Sequence, residues 1–136
     1  MAQFRLAVSI VALALLSLLA ACGNTGGGVA SFNYSGTWVG TIVDSVGGPG
    51  TIVTTMSQSG SDIVGTWQAT FASGNNGGIL AGLIRTNDVL VELYPSNPAL
   101  CPYAAVAQRS GSTLSGTYAA FNCTEVVTGT LSITKQ

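Results

Sequence analysis

The chain contains no histidine, and only 7% of its 136 residues are charged. Histidine is the commonest general base near neutral pH and the commonest metal ligand. Its absence removes the usual routes to acid–base and metal chemistry, so neither a metal site nor a cofactor is expected. Four Lys and Arg residues face five Asp and Glu residues, with no basic cluster; nucleic acid, which requires a positive face, is not an expected partner. The acids are dispersed as well. Asp88 and Glu92 share a strand face, yet four residues of extended chain separate them by about 13 Å, too far to hold one ion or share a proton. Ser132-Ile-Thr-Lys135 fits the S-x-x-K spacing of serine acyl-enzymes, but no S-D-N or K-T-G companion exists. Strand spacing also turns Ser132 and Lys135 to opposite faces. No catalytic residue is assigned, and the chain is expected not to be an enzyme.

Long apolar runs are missing too, except at the start. Arg5 precedes an almost unbroken apolar stretch from Leu6 to Leu19, which ends in Leu19-Ala20-Ala21-Cys22. A spanning helix needs about 20 apolar residues, so the segment reads as a targeting signal and not as a membrane span. An ordinary secretory signal cut at small residues is one reading. The other is the bacterial lipobox, which the order Leu-Ala-Ala-Cys resembles at all four positions. That resemblance implies cleavage before Cys22, lipidation of its thiol and acylation of its new amine, a combination that anchors firmly where one chain does not. Gly23 follows, where an aspartate commonly retains lipoproteins in the inner membrane; delivery to an outer membrane is therefore expected, facing the periplasm or the surface. The expected organisation is a signal over 1–21, a lipidated cysteine with a Gly-rich tether over 22–31, and one domain over 32–136.

Beyond residue 32 no stretch holds a helical period. Short Val, Ile, Thr and aromatic runs alternate with Gly, Asn, Asp, Ser and Pro clusters, the pattern of an all-β barrel or sandwich. The runs predict strands over 34–43, 50–58, 62–72, 78–85, 88–94, 101–109, 113–121 and 126–134. Residues 59–67 read SGSDIVGTW and residues 110–118 read SGSTLSGTY, 51 positions later. A shift of 51 lays the second, third and fourth strands on the sixth, seventh and eighth; the first falls on the fifth with poor residue agreement. The fold expected is a single eight-stranded antiparallel up-and-down barrel made of two repeated four-strand meanders, an even number that can close and remove both sheet edges.

Cysteine is scarce, with three residues. Once Cys22 is set aside, Cys101 and Cys123 form an even pair in an exported chain, which reads as a disulfide. A hairpin turning at Gly111 and Ser112 opposes residues at an index sum near 223, and the two cysteines total 224. They should sit nearly opposite, within bridging reach.

Gly-Thr-aromatic recurs at Gly36-Thr37-Trp38, Gly65-Thr66-Trp67 and Gly116-Thr117-Tyr118. Period two puts each glycine and ring on one face, and the rings read as wall and core. The first motif, a second strand and then Val64-Gly65-Thr66-Trp67 resemble the start of the avidin family, eight-stranded barrels that hold biotin. The match covers about the first third of the domain. The family's ligand residues do not carry over: Gly40 stands where it has an asparagine, and Trp67 where it has a tyrosine. The later tryptophans that wall biotin have no counterpart, because this chain has only two. The resemblance implies an avidin-like or lipocalin-like up-and-down barrel without the biotin. Lipobox, size, strand count and disulfide together also resemble small barrel-shaped bacterial lipoproteins, some of which inhibit lysozymes or proteases.

The function expected is a lipid-anchored envelope protein whose non-catalytic barrel binds or interacts, with the membrane as one partner. Two further partners stay open. One is a small apolar ligand held among interior residues such as Val53, Ile63, Trp67, Leu80, Leu114 and Tyr118. The other is an envelope or extracellular protein met by loops, as for a hydrolase inhibitor. Loop lengths suggest which loops. Tight turns are expected after strands two, four and six, and longer loops after strands one, three, five and seven, over 44–49, 73–77, 95–100 and 122–125. The candidate recognition rim is Tyr94, Asn97, Leu100 and Tyr103 at that open end, although Pro95 and Pro98 could serve simply to end a strand.

Overall fold

In a computed structural model, which describes residues 31–136, the chain forms eight strands: β1 Gly36–Asp44, β2 Gly48–Ser59, β3 Asp62–Phe71, β4 Gly74–Ile84, β5 Val89–Pro95, β6 Tyr103–Ser110, β7 Thr113–Ala120 and β8 Thr128–Lys135. Each pairs antiparallel with the next, and β8 pairs with β1 to close the barrel. The signal segment, Cys22 and nearly all of the tether lie outside the described residues.

The internal repeat is written into the register. Met56 opposite Gly65 in the first unit becomes Ala107 opposite Gly116 in the second. Gly65 opposite Leu80 becomes Gly116 opposite Leu131. Gly78 opposite Pro95 becomes Gly129 opposite Asp44, so the seams between units also match. Only one pairing departs. Gly36 faces Met56, whereas Ala107, the counterpart of Met56, faces Val89 in place of residue 87. The slip is two residues, which preserves the inward and outward faces. This is where the sequences of the first and fifth strands agree poorly.

Local chemistry explains the repeated text. Gly60 and Gly111 each take a positive φ of 60° at the first position of a two-residue hairpin turn, as a type II′ turn requires. Five residues after each turn glycine comes a close approach between strands, at Gly65 and Gly116. A Cβ on Gly65 would lie 1.9 Å from the Thr55 carbonyl oxygen, and one on Gly116 would lie 2.0 Å from that of Val106. Only glycine admits such an approach of neighbouring backbones. The three rings that follow the motif glycines all turn inward: Trp38, Trp67 and Tyr118 are buried.

The interior is filled. Trp38, Ile52, Ile63, Val89 and Leu114 are fully enclosed, and burying side chains of this size stabilises by about 1.5–3 kcal/mol each. The residual void at the centre, between Ile52, Met56, Leu80, Val91, Leu93 and Ile133, is about 30 Å3. Val53, expected inside, faces solvent; Ile52 and Thr54 on either side of it are buried, so the strand's alternation runs one residue out of step with that reading.

Connection lengths differ from expectation in one half of the barrel. β4 starts at Gly74, not near 78, and only residues 72 and 73 separate it from β3. Asn75 and Asn76, read as loop residues, pair with Thr70 and Ala69. Amide residues are turn formers on average, but here the closing ladder holds them. The β4–β5 link, residues 85–88, is longer than the expected two-residue turn and is pinned by the Arg85–Asp88 ion pair. Long loops at the open end are therefore two, residues 96–102 and 121–127.

Candidate functional site

Those two loops are joined. Cys101 and Cys123 form a disulfide with Cα atoms 5.8 Å apart. The hairpin register keeps the predicted index sum, with Tyr103 opposite Ala120, but both cysteines fall just outside β6 and β7. The bridge thus clamps the loop bases and not the strands themselves. Phe121 N–H donates to the Pro102 carbonyl beside it at 3.0 Å.

The four rim candidates separate into two groups. Tyr94 stands outside at the end of β5, donating its hydroxyl to the Glu92 carboxylate and meeting Phe121 edge-on at 6.3 Å. The hydrogen bond to Glu92 is the main cause of a raised Tyr94 pKa, with partial desolvation and the Glu92 charge adding to it. Asn97 organises the loop: its side-chain oxygen accepts from Ala99 N–H at 3.0 Å and its carbonyl from Leu100 N–H at 3.1 Å. Leu100 is exposed. Tyr103 instead turns into the barrel mouth, edge-on to Trp67 at 6.4 Å and to Tyr118 at 5.7 Å. Tyr94, Asn97 and Leu100 are exposed at the loop end, whereas Tyr103 turns inward.

Beneath the rim lies a polar cluster that sequence reasoning did not assemble. Tyr118 donates its hydroxyl to Asp44 Oδ2 at 2.7 Å, and Asp44 Oδ1 accepts from Gly47 N–H at 2.7 Å and Val46 N–H at 2.8 Å. Burial is the largest single influence on Asp44 and opposes ionisation. The hydrogen bonds from Gly47, Tyr118 and Val46 together outweigh it and hold the carboxyl below its ordinary 3.8. Burial, with Asp44 nearby, pushes the Tyr118 phenol far up. Burial likewise raises Tyr103, with Asp44 and Glu125 adding to it and a hydrogen bond with Asn76 working against it. Both phenols therefore stay neutral throughout the physiological range. A space of about 20 Å3 lies among Asp44, Asn76, Trp67, Tyr103 and Tyr118, room for one water molecule. Asp44 is legible as a turn residue, Asp-Ser-Val-Gly, but its partner 74 residues away is not.

The arrangement supplies hydrogen bonds and shape. Ser132 faces outward and shares a hydrogen bond with Ser115 at 2.9 Å, while Lys135 donates to the Asn33 carbonyl at 2.7 Å. Among the described residues no three His, Cys, Asp or Glu side chains converge as a metal site.

Two shallow grooves mark the outer wall. One, of about 580 Å3, crosses β2, β3 and β4 at Val53, Thr55, Thr66, Gln68, Gly77 and Ile79. The other, of about 550 Å3, crosses β6, β7 and β8 at Ala104, Val106, Thr117, Ala119, Thr128 and Thr130. Each residue of the second set is one of the first shifted by 51.

No protein-family model matches the chain, and no curated protein matches it. What stands is the closed eight-stranded antiparallel barrel itself.

Proposed function

We propose that this protein is a lipid-anchored, non-catalytic barrel of the bacterial envelope that engages another protein through its open-end loops. The filled interior carries the choice between ligands. A small apolar molecule needs a cavity of several hundred Å3, against the residual 30 Å3 at the barrel centre. The surface that remains is the loop pair clamped by Cys101–Cys123, and binding residues concentrate on loops that a rigid scaffold holds in place. The chain enters β1 and leaves β8 at the opposite end, where Lys135 meets Asn33. A tether from Cys22 would thus present the clamped loops away from the membrane. The barrel is a passenger of that membrane and not a channel through it. Spanning barrels carry a continuous apolar outer band around a polar interior; here the interior is apolar and filled, and the outward aliphatics Val53, Val64, Ile79 and Leu83 of one wall give way to Thr117, Thr128, Thr130 and Ser132 on the other. Among protein partners, an inhibited hydrolase is the reading favoured by a long, disulfide-held loop.

The test is capture from envelope extracts on the full-length protein and on a variant in which residues 95–99 become a Gly/Ser linker. A partner retained by the first and lost by the second supports the rim. Equal capture by both moves the site elsewhere. Native mass spectrometry of the purified protein should show no co-purifying small molecule in the barrel, and a retained lipid would restore the small-ligand reading.

A further inference from the structure

The two repeats have the same backbone and register on their outer walls but not the same chemistry. In β2–β4 the outward positions include Val53, Val64, Ile79 and Leu83, which are 42%, 58%, 63% and 41% exposed. Their counterparts 51 residues on are Ala104, Ser115, Thr130 and Thr134. Register is not the cause, since Val64 opposite Ala81 repeats as Ser115 opposite Ser132. The reversals are Thr55 against Val106 and, towards the loop end, Thr70 against Phe121 and Asn75 against Val126. The second repeat therefore serves as an internal control. It shows that this wall folds with hydroxyl side chains, so the exposed aliphatics of the first repeat are not required by the barrel. Solvent-facing aliphatics that cluster without a folding reason mark contact surfaces.

The cluster is contiguous. Ile79 lies opposite Thr66, Val64 is diagonal to Ile79 and Leu83, and Val53 is diagonal to Thr66. It is also neutral: residues 51–57, 64–70 and 75–83 contain no charged side chain. We infer that this β2–β3–β4 wall is a self-association surface and that its occupant is the same wall of a second copy. In an isologous contact each patch meets itself, so any charge would face its like; a neutral aliphatic patch is suited to that and a charged one is not. Anchoring copies to one membrane raises their effective concentration for one another, which favours side-by-side contact of a weakly self-complementary wall.

The contact is small. Three strands at about 4.8 Å spacing span a few hundred Å2, below the roughly 800 Å2 per partner of a standard stable interface. It forms where copies are concentrated, as they are when anchored side by side. This step rests on the proposed lipidation of Cys22, which membrane fractionation reads independently in the same samples.

The experiment uses full-length protein in cells. Thr66→Cys and its counterpart Thr117→Cys are each treated with a thiol-reactive crosslinker carrying a flexible spacer. Both positions are exposed threonines mid-strand in equivalent settings. The expected result is a species of twice the mass from T66C and none from T117C. Ile79→Thr, which installs the second repeat's residue, should lower the T66C dimer by at least about tenfold, the loss of roughly one buried aliphatic contact per copy. Unchanged melting of I79T separates that loss from unfolding. Equal crosslinking at both sites overturns the inference. So does no crosslink from T66C, wherever the chain fractionates, or an adduct of T66C with a different protein.

Discussion

Asp44 closes the β1–β2 turn and, from the end of β1, reaches past β8 to the Tyr118 hydroxyl on β7. Its folded pKa lies below the ordinary carboxylate value. A depressed carboxylate contributes stability above its unfolded pKa, and that contribution disappears as pH falls through the folded value. Asp44→Asn should therefore cost about 1–2 kcal/mol near neutrality through weakened hydrogen bonds. Thermal melts from about pH 6 down to about pH 3 should show the gap between wild type and D44N closing at the acid end; a constant gap would mean that the carboxylate's charge plays no part. Gly129 is the second residue on which this corner depends. A Cβ there would stand 2.3 Å from Tyr118 Cζ and 2.3 Å from the Val43 carbonyl oxygen. Gly129→Ala should destabilise by about 1–3 kcal/mol, since neither ring nor backbone can withdraw without losing the bond to Asp44. Denaturant unfolding checks this, with Gly111→Ala as a comparison in which strain comes from φ and not from contact.

The element most dependent on covalent help is the pair of long loops. Residues 96–102 and 121–127 contribute few buried side chains, Cys101 and Val127 among them. The Cys101–Cys123 bridge closes a segment with a sequence separation of 22. Chain-entropy reasoning assigns it about 3 kcal/mol, and for a domain of this size that corresponds to a melting shift of roughly 10–20 °C. Replacing both cysteines by alanine should lower melting by that amount while leaving a closed barrel, visible as a retained far-ultraviolet β signature. Capture of the protein partner should fall with it, because the loop bases would no longer be held together. The repeat itself acts at this scale. Turn glycine, close-approach glycine and inward ring recur as a set, at Gly60, Gly65 and Trp67 and again at Gly111, Gly116 and Tyr118. They are one hairpin design used twice.

At the scale of the whole molecule, the barrel has two distinct ends. Arg85, Arg109 and Lys135 lie with Asp62 and Asp88 at the end where the chain enters and leaves, while Asp44 and Glu125 lie at the clamped-loop end. The proposed anchor belongs to the first of these. Cys22→Ser should abolish lipidation and leave the protein uncleaved, read by fatty-acid labelling and by mass. Cleavage before residue 22 with retained membrane partitioning in that variant would remove the anchor from the account.

Strand number, closure, the hairpin register and the disulfide pair were legible in the residues. They depend on local alternation, on turn chemistry and on a 51-residue echo, all of which survive in one dimension. Which of Val53 and Ile52 faces inward was not legible, because a strand rich in Val, Ile and Thr carries a weak alternation signal and its neighbours decide the phase. Nor were the early start of β4 or the short connection before it, where ladder pairing overrides the turn preference of Asn75 and Asn76. The Asp44–Tyr118 bond joins residues 74 apart and exists only because closure brings β7 and β1 to either side of β8. Whether the barrel held space or side chains was also left to packing. That balance of volumes between two walls is set when the sheet closes, and no single strand contains it.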